Sequence, residues 1–262
     1  MSAPAAAARA AEAATAHGGG HGGGLVHVQL LEVHGVPPFM VMSFLVIGIL
    51  FACALLTRRS LKLVPTGLQN FFEFVYCFWY DMGESLMGKK VKFFMPLFLF
   101  LFLYILFGNL IGLIPGFNSP TANLNTTFAL ALIVFVSTHV FGIRTKGVLG
   151  YLSHFWAGVP WWLKPAMFVI HLISELVRPV SLAARLFGNI VAKEIMLTVL
   201  VALLLAFGGA PALVSKSLAL FPLVLRPLII VLGTLVSLIQ ACVFTILAMI
   251  YIGGAVSEEH GH

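Results

Sequence analysis

Two apolar stretches, residues 165–207 and 216–252, are longer than a lipid bilayer is thick. As helices they would run to about 65 Å and about 55 Å, against a hydrocarbon core of about 30 Å. Moderate tilt absorbs only part of that excess. Either each stretch breaks into two spans, or both lie steeply inclined as a long hairpin. A break in the first needs a polar loop near its middle, and Arg178-Pro179 is the only interruption there. With no Gly, Asn or Asp beside it, that dipeptide is expected to kink a helix rather than end it, as is Pro227 in the second. The expectation is two inclined helices.

The remaining segments give the same class. Hydrophobic residues make up 60% of the 262 and charged residues only 9%, too few to clothe a soluble domain. A first span, residues 39–57, is closed by Arg58, Arg59 and Lys62; the positive-inside rule puts these in the cytoplasm and the N-terminus outside. Leu68 to Met87 carries Glu73, Asp81 and Glu84 among aromatics, the pattern of an interfacial or re-entrant amphipathic helix. Lys89, Lys90 and Lys92 mark a second cytoplasmic boundary, from which residues 93–114 run outward. Gly108 and Gly112 in that span have the GxxxG spacing of close packing. Residues 115–120 form an external turn, and a return span from Asn125 ends near Phe141, with Arg144 and Lys146 inside again. The expected fold is an all-α polytopic membrane protein: about five membrane helices plus one amphipathic helix, with the C-terminus cytoplasmic.

Residues 1–34 read as a disordered Ala/Gly/His-rich tail with an interfacial lead-in, 35–254 as the membrane domain, and 255–262 as a short polar tail. His17 and His21 in the first tail are separated by glycines, which leave metal ligands unorganised. The net charge of +6 sits mainly in short loops, so it orients helices rather than binding nucleic acid. Cys53, Cys77 and Cys242 are scattered, with neither a disulfide framework nor a metal spacing. Trp156, Trp161 and Trp162 suit a headgroup layer.

At about 100° per residue, the polar positions of the first long helix fall together. With His171 at zero, Glu175 lies near about +40°, Arg178 about −20°, Arg185 about −40°, Asn189 about 0° and Lys193 about +40°. Six polar side chains thus share a sector about 80° wide over more than six turns. Arg226, Gly233, Ser237 and Gln240 align more weakly on the second helix, and an antiparallel hairpin would bring the stripes together. Glu194 turns to another face.

Such a stripe can be internal glue between helices. Arg178 fits that account, since Glu175 stands three residues before it. Arg185 does not. Its guanidinium keeps its proton, and holding it at bilayer depth costs between about 3 and about 17 kcal/mol. Counting Glu175 and Glu194 against Arg178, Arg185 and Lys193 leaves one positive charge over. A carboxylate supplied by another chain within the membrane would resolve the excess.

These residues resemble subunit a of the F-type ATP synthases. The likeness lies in the run Ser174 to Asn189, with its R-P-x-S-L-x-x-R-L-x-x-N string, and in Leu238 to Phe244. Residues 123–127 and 143–147 share it, and it spans about residues 35–254. The resemblance implies vertical helices and an inclined hairpin set against a ring of c subunits in a bacterial inner membrane, with b-type peripheral-stalk subunits as further partners. Arg185 would be the essential arginine facing the rotor carboxylates, flanked by Asn189 and Gln240. Glu194 would serve one of two aqueous half-channels. His171, Glu175, Lys193 and Ser237 complete the candidate ion path, for H⁺ or Na⁺. Lys193 departs from the small residue usual at its position, and Gly233 stands where some members carry a His or Glu. No cofactor is implied.

Two other readings use the same residues. A self-contained transporter could run its substrate along the stripe, although inverted repeats and Gly-interrupted helices are missing. A haem-bearing respiratory subunit would need ligands from His139, His154 and His171. With no Walker A motif, metal cluster or nucleophile triad in the sequence, the chain is not expected to hydrolyse ATP itself.

Overall fold

The computed structural model describes residues 37–256 apart from 60, 66, 115–116, 155–159, 161 and 209–211. The N-terminal tail with His17 and His21, Trp156, Trp161 and the last six residues lie outside it. Among the described residues six α-helices follow in order: α1 Pro38–Arg59, α2 Leu68–Met87, α3 Val91–Ile111, α4 Leu124–His154, α5 Lys164–Gly208 and α6 Ala212–Val256. No strand occurs among the described residues. Among the described residues five stretches are long and apolar enough to cross a membrane, with α2 and α3 counted as one.

The two overlong stretches are each a single helix of 45 residues, about 68 Å at helical rise. Pro179 sits inside α5 without ending it. The missing N–H of a proline removes one ladder bond, which the helix tolerates with Pro179 itself buried against its neighbours.

Glycines with left-handed backbone make the sharp reversals. At Gly88 (φ 59°) the chain leaves α2, passes a 3₁₀ turn at Gly88–Lys90 and enters α3. α2 then folds back against α3: the Trp79 ring lies 5.0 Å from Phe102, and Phe72 and Tyr76 share a hollow with Leu99 and Leu103. Its acidic residues Glu73, Asp81 and Glu84 stay exposed. At Gly147 (φ 72°, ψ 164°) the backbone leaves helical geometry within α4. The last turn of α4 doubles back and sets the Tyr151 ring where a side chain on residue 142 would stand, 2.5 Å from an ideal Cβ.

α3 is apolar all round and forms the centre of the bundle, as such helices do. Phe98, Leu101 and Ile105 are fully enclosed, in one core cluster with Phe244, Met249 and Ile252 of α6 and Leu186 of α5. In lipid this packing gains from dispersion and close fit rather than from excluding water. The Gly108/Gly112 pair receives a turn rather than a helix. A Cβ at 108 would meet Pro120 at 3.2 Å, and one at 112 would meet Ser119 at 2.6 Å. That seats the 117–123 turn deep against α3.

Candidate functional site

α5 and α6 run antiparallel, and three contacts step along them in opposite directions. The Arg178 guanidinium lies 5.0 Å from the Tyr251 ring centre, Asn189 Nδ2 donates to Gln240 Oε1 at 2.7 Å, and Lys193 Nζ donates to Ser237 Oγ at 3.0 Å. The expected hairpin thus joins the two polar stripes.

The stripe follows the border between the packed and the open side of α5. Leu182, Ala183, Leu186 and Ile190 face the bundle; Ser181, Ala184, Gly188 and Ala192 face outward. Positions turned a little inward are drawn into the protein. Glu175 is partly enclosed and holds Arg178 at 2.5 Å. Lys193 is only 8% exposed; besides Ser237 it reaches the backbone carbonyl of Asn109 at 3.4 Å. His171 and Asn189 are exposed on the border. Arg185, turned the other way, is exposed, and among the described residues no side chain bonds or ion-pairs with it.

The two departures from the family pattern are one feature. A Cβ on Gly233 would come within 2.8 Å of Lys193 Cδ and 3.1 Å of Leu113. The bare backbone at 233 is what admits the lysine stem. Ser237, 1% exposed, donates onward to the Gly233 carbonyl at 2.7 Å.

Glu194, the next residue after Lys193, is half-buried, with its carboxylate near the turn at Ser119. Its Oε1 is buried with no hydrogen-bond partner among the described residues. Neither carboxylate of α5 therefore serves Arg185: Glu175 is bound to Arg178, and Glu194 faces the turn after α3.

Sequence reasoning passed over Asn109, Ser119, Thr121 and Tyr251. Asn109 carried a signal, as an amide alone in an apolar span. The others become visible only when the turn docks on α3 and the end of α6 on α5. Among the described residues no three His, Cys, Asp or Glu side chains gather to hold a metal.

A family model described as "ATP synthase A chain" matches residues 40–253. "ATP synthase subunit a" of Geobacter sulfurreducens is 48% identical over 218 residues, 83% of this chain and 87% of that protein. The protein of the same name from Trichlorobacter lovleyi is 44% identical over 236 residues, 90% of this chain and 93% of its own. "ATP synthase subunit a 1" of Syntrophotalea carbinolica is 44% identical over 233 residues, 89% and 92% of the two chains.

Proposed function

The chain belongs to the ATP synthase A chain family, and from that premise we propose that it is the stationary ion-translocating subunit of an F-type ATP synthase. It works in a bacterial inner membrane with its N-terminus outside and C-terminus inside, beside a ring of c subunits and b-type stalk subunits. ATP is made elsewhere in the complex.

The observation that carries this reading is Arg185, a permanent cation on the open side of α5 with no anion of its own chain among the described residues. Beside it Ser181, Ala184, Gly188 and Ala192 keep the surface low, so a neighbouring helix can approach closely. A protonated carboxyl on that helix crosses lipid at tolerable cost; an ionised one does not. Next to Arg185 the carboxyl gives up its proton, because the cation favours the charged form. It takes another as it moves away.

Arg185 holds its own proton throughout, so no ion passes straight along the interface. Each proton crossing about 100 mV delivers about 2.3 kcal/mol to ring rotation. α5 starts inside and ends outside, so Glu194, Lys193 and Ser237 serve the outer half-channel. His171 and Glu175 lie toward the inner one, and Asn189 with Gln240 brace the hairpin beside Arg185.

In inverted vesicles carrying the whole complex, Arg185→Ala is expected to leave assembly and ATP hydrolysis in place and to abolish ATP-driven proton pumping. Normal pumping by that variant overturns the assignment.

A further inference from the structure

The end of α1, the start of α2 and the flank of α3 enclose a cleft apart from the polar stripe. Its volume is about 250 Å³, against about 30 Å³ for a water molecule. Phe72, Tyr76, Leu99 and Leu103 give it an apolar wall, and Glu73 brings a carboxylate to it. Gln69, 5% exposed, builds this corner. Its Oε1 accepts from the Lys62 backbone N–H and its Nε2 donates to the Lys62 carbonyl, both at 2.9 Å. The same Nε2 donates to Glu73 Oε1 at 2.7 Å. One glutamine thus ties the backbone of a basic residue and the carboxylate of an acidic one to a single opening.

Charges of both signs stand ready there. Arg58 and Arg59 follow the lining residue Thr57, and Lys62 follows the lining residue Leu61. All three are exposed, as is Glu73, and none of the four forms an ion pair among the described residues. α1 has 22 residues, about 33 Å at helical rise. That matches a hydrocarbon core of about 30 Å and sets Arg58 and Arg59 at a headgroup layer. Leu61, Leu63 and Val64, all exposed, give the connection to α2 a surface suited to lipid. Basic residues at the mouth of an apolar cleft between membrane helices are the chemistry that receives a lipid phosphate. Glu73 adds a condition: it repels a headgroup with surplus negative charge and receives one that carries an ammonium.

We propose that this cleft binds one aminophospholipid of the phosphatidylethanolamine type, with an acyl chain along Phe72, Tyr76, Leu99 and Leu103, its phosphate met by the cations of Arg58, Arg59 and Lys62, and its ammonium on Glu73. A phosphatidylglycerol headgroup brings no cation to Glu73, and phosphatidylcholine has no N–H to donate to it. The bound lipid joins the end of α1 to α2 and α3 through a molecule that the bilayer supplies. The site requires only that the chain spans a membrane, and it stands or falls apart from the ion path.

The test reconstitutes the complete complex in vesicles containing a photoactivatable lipid with its reactive group in one acyl chain. Three preparations carry it as phosphatidylethanolamine, phosphatidylcholine or phosphatidylglycerol, and peptide mapping reads the label on residues 57–76 and 99–103. Label from phosphatidylethanolamine should exceed that from either other lipid about tenfold, the scale of one charge-assisted hydrogen bond. Glu73→Gln should bring the three lipids level, and Arg58→Gln combined with Arg59→Gln should lower all three. Equal labelling by the three lipids in the wild-type complex overturns the proposal and leaves ordinary surrounding lipid. Absence of label from every lipid also overturns it, as when a helix of another subunit fills the cleft. The comparison of lipids needs no substitution, so it decides the matter even where a variant fails to assemble.

Discussion

One helix carries two charged regions treated in opposite ways. Near Lys193 the polar groups turn inward, where Ser237 and the Asn109 carbonyl receive the ammonium. Eight residues earlier Arg185 faces out with no partner among the described residues. The separation is about 80° of helix azimuth, enough to carry a side chain across the border of the packed face. A buried charge satisfied inside the chain stabilises or shapes the protein; one left unsatisfied implies a partner outside it. The difference makes the first region one that the chain satisfies from within and the second one that needs another chain.

Substitutions can break that contrast, and the largest effect belongs to the open side. Arg185→Lys keeps the charge but loses the planar two-pronged donor, so pumping in vesicles should fall about a hundredfold while assembly holds. Pumping at half the wild-type rate would mean that charge alone suffices. On the packed side the expected effect is on stability. Gly233→Leu forces a side chain into the lysine stem and should cost about 2 kcal/mol, read as a lower unfolding midpoint of the purified complex. Pairing it with Lys193→Ala should return most of that loss; additive losses would show that the two positions do not share space.

Tyr251→Leu removes the ring under Arg178 and should cost about 1 kcal/mol, whereas Tyr251→Phe keeps the ring and should leave the midpoint in place. Smallest of all, Lys193→Met keeps the stem and drops the ammonium, for a change of less than about 1 kcal/mol in the same unfolding assay. A larger loss would make the lysine's hydrogen bonds, rather than its bulk, the main support of the seam.

The long helices and the alignment of their polar residues were legible because both follow from local rules: run length against bilayer thickness, and 3.6-residue periodicity. Arg185 stood out for the same reason, as a charge no lipid-facing position can use. Its isolation did not. The wheel put Lys193 and Arg185 on one stripe, and only the docking of α3 and α6 decided which of them turns inward. The fit of Lys193 to Gly233 was hidden because they come from different helices, although each was visible as a departure. Gly108 and Gly112 announced close contact correctly, but a spacing cannot say that a turn fills the groove. The fold back at Gly147 likewise needed a backbone angle that no side-chain pattern encodes.

The central claim is that the anion meeting Arg185 belongs to another chain. A structure of the assembled complex tests it directly, by the groups within ion-pair reach of the Arg185 guanidinium. The account predicts a carboxylate of a ring subunit there, with Glu175 still on Arg178 and Glu194 still against the Ser119 turn. An Arg185 neutralised by Glu175 or Glu194, with no acid of another chain beside it, would contradict it.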